Sequence, residues 1–345
     1  MSRAPAPLRR RLIAAAWLAA AGGALAIGAA ALIRTDPADA SALEAGAVFA
    51  ALLVQTFTFH FGLVAVPLVI LALLLRRRRL ALALAMVGLV ALGPALLAAA
   101  PRSAQPASAG DRFVLLSCNL LNGTADPDRL MAWIDQVDPD VILLQEFRAP
   151  WSQIVAERLR TRYPHIWEYE ADNCFGEAVL SRTPLIDVEP FPTIGVWPEP
   201  NCRVAVEHEG RRIELINVHL APPVTLAMVA EQRRQIAWLA DEVHTRFAAA
   251  PDGPEGLIIA GDFNAPAHTN HVRELRQAGL REAHAAAGAG RGATWKPRGL
   301  PFSLAPGVRL DNAMFGGKLR CISARVGPDV GSDHRPIAAE FIWTQ

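Results

Sequence analysis

Three long stretches without a charged residue limit what this chain can become. They are Leu12 to Ile33, Ala47 to Leu75 and Leu80 to Ala100. Crossing the hydrocarbon of a bilayer takes roughly 20 apolar residues, and each stretch meets that. The second is long enough to span with tilt. Arg9 to Arg11 ahead of the first would suit the basic start of a secretory signal peptide. Its apolar part is too long for that, and two further spans follow. Residues 1–100 therefore read as a membrane domain of three transmembrane helices, at about 12–33, 47–75 and 80–100.

Arginine positions orient the anchor. Arg3 and Arg9 to Arg11 precede the first span, and Arg76 to Arg79 separate the second from the third. The segment from Arg34 to Gly46 carries one Arg against Asp36, Asp39 and Glu44. Basic loops stay in the cytoplasm. The N-terminus and the Arg76–Arg79 turn are thus expected inside, and everything after Ala100 outside, in a multi-pass protein of the plasma membrane. Gln55, Thr56, Thr58 and His60 fall within the second span with no acid or base nearby. They read as helix–helix hydrogen-bonding groups rather than a transport pathway.

Net charge is only +1, but unevenly placed. Residues 1–109 hold ten of the 34 basic residues and three of the 33 acids, leaving 24 basic against 30 acidic residues in 110–345. A basic front thus precedes an acidic body. Residues 101–110, rich in Pro, Ala, Ser and Gly, read as a linker, and the body starts near Asp111.

In the body, short apolar runs end in polar residues. Arg112 to Cys118 reads as a strand followed by Asn119, and Val141 to Leu144 as a buried strand followed by Gln145-Glu146. Ala178 to Leu180 is a third. Arg203–Glu207 and Arg212–Asn217 form a hairpin across Glu209-Gly210, whose second strand runs through Val218 to His219. Leu257 to Ala260 leads into Gly261-Asp262-Phe263-Asn264, and Arg309 to Phe315 contains Asp311. Ser332-Asp333-His334 precedes a last strand, Ile337 to Trp343. Helical spacing marks Asp128–Val137, Trp151–Leu159, Thr225–Phe247 and a short segment near Thr269–Gln277. Strands and helices so interspersed suggest packed sheets covered by helices. Cys118 and Cys321 read as buried thiols. Cys174 and Cys202 fall in polar, loop-like context, where a bridge and two free thiols remain equally open.

Singly, each strand-end polar group has a bland reading. Asp and Asn are ordinary turn residues, and Glu146 would suit a helix start. Asp311 is odder, because a carboxylate within an apolar strand is costly without a partner. Together they form a chemical set. Cleaving a phosphate ester requires neutralised phosphoryl oxygens, an aimed water and a proton for the leaving oxygen. Oxygen ligands such as Glu146 and Asn119 suit Mg²⁺ or Mn²⁺ and suit Zn²⁺ poorly. Asp311 and His334 could be a carboxylate–imidazole pair.

The pieces CNLLNG (118–123), LLQEF (143–147), GEAVLSRTPL (176–185), INVHLAPP (216–223), GDFNAP (261–266), RLDNAMF (309–315) and SDHRPI (332–337) resemble the motifs of the endonuclease/exonuclease/phosphatase superfamily. The superfamily includes DNase I-like nucleases, sphingomyelinases and inositol-phosphate phosphatases. The resemblance covers residues 111–345. It implies a four-layer α/β sandwich, two central β-sheets flanked by helices, with the site at one end of the sheets. It also implies Glu146 as principal metal ligand, with Asn119 beside it and Asp333 as a second metal-side carboxylate. Asp262 would orient or deprotonate the attacking water, and Asn264 would hold a phosphate oxygen. His334 would contact the phosphate, with Asp311 fixing its tautomer, and His219 would protonate the leaving group or stabilise charge. Arg182 would be structural. Departures from the pattern are Asn312, where Tyr or His is frequent, and Glu177, where Asn is common; they touch substrate more than chemistry.

The expected function is a membrane-anchored, divalent-metal-dependent phosphoesterase acting outside the cytoplasm on a lipid-linked phosphate or pyrophosphate. A ten-residue linker reaches only roughly 35 Å, and the acidic body lacks the clustered cations of sequence-independent nucleic-acid binding. A tethered nuclease is the alternative. A non-catalytic scaffold predicts losses among the eight polar positions, and none is lost. No obligatory protein partner is evident.

Overall fold

The structure is a computed structural model that describes residues 6–32, 42–98, 112–192, 200–249, 255–301 and 306–344. The linker 101–110 and the body's start at Asp111 lie outside the described residues. The chain divides into two compact units, residues 1–100 and 101–345.

The first unit is three helices, α1 (Ala6–Leu32), α2 (Ala42–Leu74) and α3 (Arg78–Ala98). Within them Arg10–Leu32, Leu43–Leu74 and Arg78–Leu97 are long and apolar enough to cross a membrane. Small residues let them approach. A Cβ on Gly62 of α2 would lie 2.6 Å from Cγ of Leu92 on α3, so only glycine fits that crossing. The Gln55 amide donates to the carbonyl of Ala30 on α1 at 2.5 Å, the interhelical role expected of it. Thr58 instead returns its hydroxyl to Val54 of its own helix, at 2.6 Å.

The second unit is built on two six-stranded mixed sheets. One runs β11 (Leu319–Val326), β12 (Ile337–Trp343), β1 (Phe113–Asn119), β2 (Val141–Gln145), β4 (Glu177–Ser181), β3 (His165–Tyr169). The other runs β5 (Ile186–Pro192), β6 (Pro200–His208), β7 (Arg211–His219), β8 (Gly256–Asp262), β10 (Asp311–Gly317), β9 (Arg281–Glu282). Their inner faces bury Leu115, Val141 and Leu143 against Val204, Leu215 and Ile258. The outer face of the first sheet packs through Leu116 and Ile142 on α4 (Pro127–Val137) and α5 (Ala149–Ile154), through Leu130 and Trp151. The outer face of the second packs through Ile216 and Ile259 on α6 (Leu226–Ala249) and α7 (Asn270–Gln277). These are the expected four layers, with α8 (Ala283–Ala287) a short addition.

Several boundaries differ from the sequence reading. The helix expected over Trp151–Leu159 begins at Ala149 and turns π-helical at Val155–Leu159. β10 starts at Asp311, so this acid opens its strand. All four cysteines are free thiols. Cys202 is committed to the core between the sheets, which withholds it from Cys174.

Candidate active site

Strand pairing assembles the site. β1 and β2 run parallel, as do β7 and β8, so Asn119, Gln145, His219 and Asp262 all end strands at one edge. Register places His219 across from Asp262 on one side, and Asp311 across from Asp262 on the other. Gly261, inside β8, lets the backbone of that strand pass close to β7. It holds φ at +143°, and a Cβ there would lie 2.0 Å from the carbonyl oxygen of Val218. Glu146 and Asn264, just beyond their strands, hold φ at 56° and 49°. Left-handed backbone at such residues costs on the order of 1–3 kcal/mol and clusters at functional sites.

Asn119, fully buried, joins the sheets. Its Nδ2 donates to Oε1 of Glu146 and to Oδ2 of Asp262, both at 3.0 Å. Its Oδ1 accepts the N–H of Leu121 at 2.9 Å. The second oxygen of Glu146 accepts the N–H of Asn122 at 2.5 Å. Asp262 Oδ1 accepts the N–H of Asn264 at 2.8 Å, and the Asn264 amide donates to the Leu220 carbonyl at 2.8 Å.

Two imidazoles flank Asp262, each with Nε2 at 3.6 Å from its Oδ2. His219 donates from Nδ1 to the Cys174 carbonyl at 2.9 Å. A carbonyl only accepts, so this bond sets the tautomer. His334 pairs through Nδ1 with Oδ2 of Asp311 at 2.8 Å. Burial pulls the His334 pKa down, but the charges of Asp311, Asp262 and Asp333 more than reverse this and raise it to about 10. Burial raises Asp311, His334 opposes the rise, and Asp262 adds to it. At neutral pH the three groups thus hold an imidazolium between two acids.

The eight expected residues do not form one cluster of equals. One ligand atom each of Asp262, Asp311 and His334 lie within 4.8 Å of one another. Asn119 and Glu146 adjoin them through Asp262, with His219 on its far side. Asp333 points differently: its Oδ2 lies 3.6 Å from Nε of Arg298, and its carbonyl accepts the N–H of Lys296 at 3.1 Å. Arg182 pairs with Asp138, next to where β2 begins, away from the site. That suits the structural role expected of it.

Sequence reading missed the braces. Ser332 donates to the Asn119 carbonyl at 2.9 Å and accepts the N–H of His334 at 3.0 Å. Its place in the SDHRP piece was the available signal. Thr294 Oγ1 accepts the N–H groups of Leu310 and Asp311 at 3.0 and 3.1 Å. It lies in a loop without a pattern, and nothing in the sequence pointed to it. Glu177 is 1% exposed, with the backbone N–H groups of Cys202 and His219 close enough to oppose the rise of its pKa. Burial nevertheless pushes its carboxyl well above the usual range, and its Oε2 has no partner among the described residues.

A metal fits this donor set by its chemistry. The Glu146 and Asp262 carboxylates are held in hydrogen-bond contact with one amide, and no thiolate is near, which suits an oxygen-preferring divalent cation. Buried carboxylates, an imidazolium and a second, tautomer-fixed imidazole at one sheet edge define a hydrolase of phosphate esters. The sequence model of the Endonuclease/Exonuclease/phosphatase family matches residues 116–334, most of the body, and the chain belongs to that family. Its members are metal-dependent hydrolases of phosphate esters.

Solved structures share the fold. Truncated TDP2 of Caenorhabditis elegans is 20% identical, covers 68% of this chain and 98% of its own, and superposes with a TM-score of 0.55. An endonuclease/exonuclease/phosphatase from Beutenbergia cavernae is 20% identical over 68% of this chain and 72% of its own, at 0.54. The 3'-5' exonuclease NExo of Neisseria meningitidis is 18% identical over 67% and 100%, at 0.51. Comparison with curated proteins gave no match.

Proposed function

We propose that this protein is a membrane-anchored phosphoesterase working outside the cytoplasm on a lipid-linked phosphate or pyrophosphate, with Mg²⁺ or Mn²⁺ as cofactor. The observation that supports the reading is a strand-end cluster of Asn119, Glu146, His219, Asp262, Asp311 and His334, in a chain of this family that also carries three helices of spanning length. A connection of about ten residues spans roughly 35 Å at full extension, short enough to favour a substrate at the bilayer. The body's excess of acids over bases opposes a long polyanion more than a single phosphate headgroup.

The contacts support the following roles. Glu146, with Asn119 beside it, would hold the cation, and Asp333 would add a carboxylate after parting from Arg298. The cation would neutralise phosphoryl oxygens and help to present the nucleophilic water. Asp262 accepts from Asn119 and faces both imidazoles, so it can orient or deprotonate the water. Asn264 spends one amide hydrogen on Leu220, which leaves the other for a phosphate oxygen. His334, charged and held by Asp311, stabilises charge developing on the phosphoryl group. His219, with Nδ1 committed to a carbonyl, meets the leaving oxygen through Nε2.

The test offers detergent-solubilised protein with Mg²⁺ a polyprenyl pyrophosphate, a phospholipid panel and plasmid DNA in parallel, with Glu146→Ala as control. Release of phosphate or headgroup from a lipid, absent in the variant, supports the proposal. Glu146-dependent nicking of the plasmid with no lipid turnover makes the protein a tethered nuclease.

A further inference from the structure

Scattered exposed apolar side chains are ordinary on a protein surface and need no account. In the body they are not scattered. Its described residues include five large, exposed apolar side chains: Tyr169, Val188, Val224, Leu226 and Leu300. Val188 lies midway along edge strand β5. The other four gather at the catalytic end of the sheets.

Tyr169 pairs with Glu177, which pairs with Gln145, the residue before Glu146. Val224 and Leu226 follow His219 on the turn into α6, and Val224 is 67% exposed. The run from Leu220 to Ala230 carries no charge at all. Leu300, 48% exposed, closes a turn onto Pro297 in the loop whose Trp295 bridges His334. One exposed apolar group thus lies two strands across from Gln145, two follow His219 in the chain, and one belongs to the loop that pairs with His334. Arg298, its side chain 68% exposed beside Asp333, adds a cation on the Leu300 side.

We propose that this rim is a lipid-engaging surface, with Val224, Leu226, Leu300 and Tyr169 entering the interfacial region of a bilayer and Arg298 meeting headgroup phosphates. The occupant is named by the chain itself. Three helices long and apolar enough to span belong to the same chain, so a bilayer is the surface this body would meet first. An aromatic with a polar tip and a cation on an apolar stem are the side chains that tolerate the headgroup layer. The inference builds on the lipid-substrate reading: such a surface lets a phosphoryl group reach the site while its hydrocarbon stays in the bilayer.

The experiment uses the full chain in nanodiscs of phosphatidylethanolamine and phosphatidylglycerol. Single cysteines replace Val224, Leu226, Leu300 and, as a control, Glu209, in a Cys174→Ser background. The three remaining thiols are buried. Glu209 is on the β6–β7 turn, at the end of β7 away from His219. Each site carries a nitroxide, and its collisions with oxygen and with a water-soluble nickel chelate are compared. The expected result is an oxygen-to-nickel ratio several-fold higher at 224, 226 and 300 than at 209. Ratios at those three positions no higher than at 209 overturn the surface. The readout does not depend on substrate. Bilayer-depth labels with DNA-only hydrolysis would retain the surface and discard the lipid substrate. Aqueous labels with lipid hydrolysis would do the reverse.

Discussion

His334 shows how burial and charge compete at one residue. Desolvation alone would make it a weak base, yet two carboxylates within 3.6 Å raise its pKa to about 10. A histidine raised above its usual 6.5 stabilises the fold fully below that pH, and loses the contribution as pH rises through about 10. The melting temperature of metal-free protein should therefore fall between pH 6.5 and 10, and His334→Gln should flatten that decline. Scanning calorimetry at stepped pH reads it; an unaltered slope in the variant would refute the ion pair. In the metal-loaded enzyme, His334→Ala should lower kcat by about 10²–10⁴ and leave metal affinity, by titration calorimetry, near wild type. Glu177 gives the same direction from a different cause, desolvation instead of ion pairing. Its folded pKa is raised, so stability is lost as pH climbs above the usual 4.5. Glu177→Gln should melt higher than wild type at neutral pH, with a gap that widens from pH 4.5 upward. The gap should be about 2–4 °C for each kcal/mol. Asp311 and His334 were legible as a pair from their chemistry. The bridging amide of Asn119 and the burial of Glu177 were not, because both depend on what other segments bring alongside.

At the scale of elements, central strands were readable and edge strands were not. β1, β2, β4 and β8 are buried along nearly their whole length and appear as plain apolar runs. β3 and β11 are half-exposed, with mixed composition and no clean alternation, so their existence rests on a neighbour's unpaired edge. Strand ends carry the chemistry, and glycine is what lets them do so. Gly261→Ala would drive a Cβ into the Val218 carbonyl of the adjacent strand. A loss of about 3 kcal/mol or more is expected, read as a lower urea midpoint, with activity falling through displacement of Asp262. Asp126 tests the contrary case. It caps α4 by accepting the N–H groups of Asp128 and Arg129. Asp126→Ala should cost about 1 kcal/mol without altering kcat.

At the scale of the whole molecule, two units of different solvent preference share one chain. α1 to α3 expose leucines along their length, as suits lipid, while the second unit buries most of its own, Leu226 and Leu300 excepted. If the positive-inside reading holds, alkaline phosphatase fused after Gln345 will be active in intact bacteria; activity only after lysis would invert the topology. The sequence by itself determined that three segments are long and apolar enough to span, that an α/β body follows, and that polar residues gather at the ends of its strands. It could do so because hydrophobic period, charge asymmetry and short motifs are local properties. Only the tertiary structure decided that Asp262 is the shared centre between two imidazoles, that Asp333 faces Arg298, and that Cys202 is withdrawn from Cys174. It alone gathers four exposed apolar side chains around the mouth. Each of these depends on which strands are neighbours and in what register, and that choice is made by burial of the two sheet faces across residues far apart in the chain.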